Sequence, residues 1–122
     1  MRHTLATKLF SATCVLASSW AAQAADLYTA PLTSGASASL YCHVANVSEK
    51  TLVVTVENFD LAGNLIDFDD FTIPPGVSVE LGGGVGFPVR CHFGFRGNKQ
   101  DVRAVGILRE AAGIPIATAL AE

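Results

Sequence analysis

Charge is scarce in this sequence: 16% of its 122 residues are Asp, Glu, Lys or Arg, and the formal net charge is −3. A chain so poor in charge, with a mean hydropathy of +0.39, is not a disordered one. The mild acidity argues against nucleic acid as a partner. No segment carries an extended apolar stripe at helical spacing, which argues against a helical architecture. Tryptophan and methionine occur once each, at Trp20 and Met1. Enzyme motifs are missing as well. Gly76-Val77-Ser78-Val79-Glu80 approaches a nucleophile elbow but ends in Glu and lies in strand-like sequence. The glycine-rich run 82–86 lacks the lysine and the following helix of a phosphate loop. No catalytic residue and no cofactor is expected.

What is present begins at the N-terminus. Arg2 and Lys8 precede an apolar run over 9–22, and small residues follow in Ala22-Gln23-Ala24. This is the layout of a secretory signal peptide, cleaved before Ala25 or one residue later before Asp26. The run is too short, and too rich in Ser, Thr and Ala, to span the roughly 30 Å of a bilayer's hydrocarbon core. Ser11-Ala12-Thr13 before Cys14 lacks the branched apolar residue that leads a lipid-attachment site. The sequence therefore divides into a signal peptide over 1–25, a linker or loose first strand over 26–35, and one domain over 36–122. The mature chain is expected in the periplasm or outside the cell, without stable membrane insertion.

Removing the signal takes Cys14 with it and leaves Cys42 and Cys91. An even pair in an exported domain reads as one disulfide. Closing a loop of about 50 residues is worth roughly 4 kcal/mol on the chain-entropy argument. That is a large share of the about 5–15 kcal/mol that holds an ordinary domain together.

Beyond residue 36 the apolar positions alternate, as strands require. Leu40, Cys42 and Val44 share one face, opposite Tyr41, His43 and Ala45. Leu52, Val54 and Val56 follow, then a segment around Leu65, Ile66 and Phe68 after the Gly63-Asn64 turn. Val77, Val79 and Leu81 come after Pro74-Pro75-Gly76. Phe87, Val89, Cys91, Phe93 and Phe95 are predicted inward, with Arg90 and His92 outward. Strands at 102–108 and 114–120 complete the set. About seven short strands with frequent turns predict an all-β fold, a single antiparallel β-sandwich of the immunoglobulin-like kind.

Two stretches carry a resemblance. NVSEKTLVVTVENFDLAGNLIDFDDFTIPPGVSVEL, from Asn46 to Leu81, resembles the central hairpin region of small exported bacterial sandwich domains, with its D-x-x-G-N and P-G turns. PVRCHFGFRGNKQDVRAVGIL, from Pro88 to Leu108, resembles the late strands of small exported proteins with no assigned activity. The resemblance implies a fold and no activity.

The sharpest chemical signal is a repeated Cys-His pair, Cys42-His43 and Cys91-His92. Neighbouring residues of a strand point to opposite faces, so converging cysteines send the histidines outward. If the bridged strands lie side by side in one sheet, His43 and His92 are candidate ligands of a copper or zinc ion. If the bridge crosses between sheets, they occupy opposite outer surfaces. The mature chain lacks the methionine of a blue-copper centre. Asp60, Asp67, Asp69 and Asp70 lack both the spacing of a calcium loop and the placement of paired catalytic carboxylates, and read as a solvated strand end. Arg90, Arg103 and Arg109 form a cationic patch if their two strands pair.

The functional expectation is a non-enzymatic binding or interaction module of the bacterial envelope or exterior, its partner an unknown protein or envelope component. The alternative is a periplasmic copper- or zinc-binding protein using His43 and His92.

Overall fold

Four strands with strict alternation build the centre of the molecule. The computed structural model describes residues 24–33, 38–82, 87–111 and 113–122. Strand β2, Ala38–Asn46, buries Leu40, Cys42, Val44 and Asn46. Strand β3, Leu52–Phe59, buries Leu52, Val54, Val56 and Asn58. Strand β6, Arg90–Arg96, buries Cys91, Phe93 and Phe95, and β7, Val102–Glu110, buries Val102, Ala104 and Leu108. β-Branched and aromatic side chains at every second position suit a pleated surface with one face covered. Complete burial of a side chain such as Phe93 or Val54 contributes about 1.5–3 kcal/mol.

Four less regular strands flank these: β1 Ala24–Tyr28, β4 Leu65–Ile73, β5 Ser78–Gly82 and β8 Pro115–Leu120. They complete two four-stranded antiparallel sheets, a first in the order β1-β6-β3-β4 and a second in the order β5-β2-β7-β8. The protein is an all-β sandwich, with Leu40, Val44, Val54, Val56, Ile73 and Phe93 in its shared core. Cys42 of β2 and Cys91 of β6 are bridged across the two sheets, with Cα atoms 5.7 Å apart.

The described strands number eight rather than seven, because β1 is a paired strand. It begins at Ala24, inside the expected signal segment, and places Ala25 and Leu27 in the core. The rest of that segment, residues 1–23, lies outside the described residues, as do Ser34 and Gly35 of the expected linker. Phe87 departs from expectation. It has φ 53° and is 76% exposed, because a left-handed residue breaks the strand alternation that continues from Val89 into β6.

Both ends of the sandwich are tied by polar groups. Fully buried Asn46 donates from Nδ2 to the carbonyls of Lys50 and Ile73, while its Oδ1 accepts from the Ser48 amide and hydroxyl. Its backbone binds Val77 and Gly76 beyond the Pro74-Pro75-Gly76 turn. One side chain thus ties the β2–β3 connection to the end of β4, where the chain crosses between the two sheets. Along the other side, Tyr28 and Glu122 exchange two backbone hydrogen bonds of 2.9 and 3.0 Å, linking the edge of the first sheet to the end of the second.

Candidate functional site

The outer face of the first sheet carries a polar cluster organised around His92, with Val53 and Phe68 exposed beside it. The register aligns Tyr28 of β1, His92 of β6, Glu57 of β3 and Phe68 of β4 in one row. His92 Nδ1 lies 2.6 Å from Glu57 Oε1, and Nε2 lies 2.8 Å from Asp26 Oδ1. Both ring nitrogens are therefore engaged by carboxylates, which as ions only accept hydrogen bonds. The Tyr28 ring stacks on the imidazole at 4.4 Å between centroids. Gly94, next outward on β6, leaves room for this: a Cβ there would come within 3.4 Å of His92 Cε1 and 3.5 Å of Asp26 Oδ1. In the row beyond, Thr55 donates to Asp70 at 2.6 Å.

The remaining acidic residues of this sheet have structural partners. Asp60 accepts the Asn64 amide at 2.8 Å and its side-chain N–H at 3.0 Å, closing the turn between β3 and β4. Those hydrogen bonds hold its carboxyl below the ordinary value. Asp67 and Asp69 pair in register with Asn58 and Val56, and so fall on the inner side of an edge strand while remaining exposed. Inward charge on an edge discourages pairing with another chain.

The outer face of the second sheet is built differently. One register row runs Gly82, Tyr41, Ile107, Thr118, and the next runs Glu80, His43, Val105, Leu120. Its ion pairs gather around Glu80 of β5, while Arg103 of β7 stands exposed in the row of Ser78 and Ala45. Arg109 reaches both Glu80 oxygens, at 2.7 and 3.0 Å, and its guanidinium lies 4.6 Å from the Tyr41 ring centroid. His43 Nδ1 is 3.2 Å from the same carboxylate. The hydrogen bond and charge of Arg109, with a smaller contribution from His43, hold the Glu80 carboxyl below its usual value. The same contact raises Arg109. Toward β8 the surface becomes apolar: Leu120 is 65% and Ile116 44% exposed, beside partly buried Val105 and Ile107.

Placed on this frame, Cys42 and Cys91 come together, and His43 and His92 do not. Their strands belong to different sheets, so the imidazoles sit on opposite outer faces and do not share an ion. Among the described residues no group of three or more His, Cys, Asp or Glu side chains is arranged to hold a metal. The cationic patch is not assembled either. Arg90 lies on the first sheet, near the Phe59 ring, and Arg103 and Arg109 lie on the second, because β6 and β7 do not pair. Sequence reasoning missed Asp26, Tyr28 and Glu57 around His92. These contacts span 66 and 35 residues in sequence, and no local spacing announces them.

No helix among the described residues is long and apolar enough to cross a membrane. Comparison with known protein families, curated proteins and solved structures finds no match to this chain.

Proposed function

We propose that this chain is an exported, non-enzymatic interaction module of the bacterial envelope or exterior, binding an extended segment of a partner protein along β8. The observation that carries the reading is the state of that edge. β8 ends the second sheet and contains no charged residue, whereas β4 carries Asp67, Asp69 and Asp70 and β5 carries Glu80. Edges are ordinarily defended by charge, proline or a bulge; on β8, Pro115 and the register shift lie at its start, and the uncharged stretch Ile116–Leu120 suits strand addition. Ala121 N–H donates to Ala104, whereas Glu122 bonds Tyr28 on the other side. Alternation therefore turns the backbone groups of Thr118 and Leu120 toward the open side, where an added strand would extend the Tyr28–Glu122 pairing. The apolar side chains of Leu120 and Ile116 supply contact area beside that ladder.

A binding role is supported by the histidines: both nitrogens of His92 face carboxylates, and among the described residues the partner of the His43 ring is the carboxylate of Glu80. The immunoglobulin-like part of the expectation is supported by a bridge joining the second and sixth strands between sheets, as in antibody domains. The terminal strands depart from that order, with β7 beside β2 and β1 beside β6.

Cross-linking in envelope extracts tests the reading. A specific partner is expected with the native chain and with Val53→Glu on the opposite sheet, and is expected to be lost with Leu120→Glu. Equal recovery with both variants, or no partner, would sink it.

A further inference from the structure

The bond that an export signal presents for cleavage lies inside a docked strand. Ala24 and Ala25 open β1, pair in register with Arg96 and Phe95, and Ala25 is only 5% exposed. Backbone alternation fixes which groups face β6. Thr29 N–H donates to the Cys91 carbonyl, while Tyr28 spends both its backbone groups on Glu122. Leu27 and Ala25 therefore turn their N–H and C=O toward β6, and Asp26 and Ala24 turn theirs away. Side chains hold the strand as well: Asp26 reaches His92, Tyr28 stacks on it, and Leu27 enters the core.

We infer that the leader is removed at the Ala24–Ala25 bond, before β1 docks, and that docking then pairs the new terminus with Phe95 of β6. The inference rests on the export reading of the N-terminus. In the step itself a signal peptidase adds water across the amide. The leader departs with Ala24 as a carboxylate, and Ala25 keeps the nitrogen as an ammonium group.

Two features of the structure carry the assignment. Cleavage before Ala25 keeps that nitrogen for the Phe95 carbonyl and the Ala25 methyl for the core. Cleavage before Asp26 removes both and leaves Phe95 without its partner across the ladder. The second feature is access. A peptidase takes its substrate as an extended segment, yet here the residues after the bond are already paired to β6 and packed inward. Cutting the folded chain would first require β1 to detach, breaking the Asp26–His92 and Tyr28–Glu122 contacts. Processing therefore precedes closure, because β1 docked with the leader still attached holds the bond in the β1–β6 pairing.

The full chain is translated with a purified bacterial signal peptidase present throughout, or folded and oxidised before the peptidase is added, and the product is sequenced from its N-terminus. Cleavage to Ala25 is expected in the first arm, and cleavage at least about 100-fold slower in the second, because local opening limits access. A chain beginning at Asp26 is expected to melt about 4–8 °C below one beginning at Ala25, or not to fold. A product beginning at Asp26 with unchanged melting, or equal rates in the two arms, overturns the inference alone. A chain recovered from the cell envelope or medium with Met1 in place overturns the export reading together with it.

Discussion

The two outer faces of this sandwich differ in kind although their strands bury similar residues. The first sheet centres its outer face on reciprocal polar contacts, Asp26 and Glu57 on His92 and Thr55 on Asp70, with Val53 and Phe68 exposed beside them. The second sheet gathers its ion pairs on Glu80, Arg109 and His43, and carries Val105, Ile107, Ile116 and Leu120 toward β8, with Arg103 exposed in a further row. Polar groups that satisfy one another have little left for a ligand. A face with exposed apolar side chains beside an uncharged edge retains unmet contact area, and the two surfaces are therefore expected to respond differently to mutation.

The largest effect should come from uncoupling the faces. Replacing Cys42 and Cys91 by alanine removes the link between sheets and should cost about 2–5 kcal/mol, read as a lower denaturant midpoint. An unchanged midpoint would mean that packing alone sets the spacing of the sheets. Next are the histidines. His92→Ala removes two carboxylate contacts and the Tyr28 stack, for an expected loss of about 1–2 kcal/mol. His43→Ala removes one exposed contact and should cost less than about 1 kcal/mol. Reversal of that order would show that the polar row on the first sheet is incidental.

A smaller effect is expected from pH. The Arg109 hydrogen bond holds the Glu80 carboxyl below its ordinary value. Its contribution is thus complete above the unfolded carboxylate range and is lost as pH falls through the lower folded value. The exposed pair is worth less than about 1 kcal/mol, and Glu80→Gln should flatten that part of the acid limb in pH-dependent melting. The smallest change in stability, within about 0.5 kcal/mol, is expected for Leu120→Glu, whose side chain is 65% exposed. The same substitution should abolish partner capture, which separates folding from binding on the second face.

Much of this architecture was legible residue by residue. The alternation of Leu40, Cys42 and Val44, and of Cys91, Phe93 and Phe95, dictates strands because a two-residue period leaves no other way to bury one face. Phe87 broke the pattern through a left-handed backbone that composition does not announce. β1 was obscured because its inward residues are only Ala25 and Leu27, a signal too short to separate from an adjoining leader. The cationic patch failed for another reason: it depended on β6 pairing with β7, and adjacency along the chain does not decide adjacency in a sheet.

By itself, then, the sequence determined the all-β class, the facing of each central strand and the outward turn of both histidines, because these follow from local geometry. Only the tertiary structure decided that β2 and β6 belong to different sheets, that His92 meets Asp26 and Glu57, and that the β8 side of the second sheet is left apolar. Such contacts join residues tens of positions apart. Their partners are selected by strand order and register, which emerge from how the whole chain buries its apolar faces.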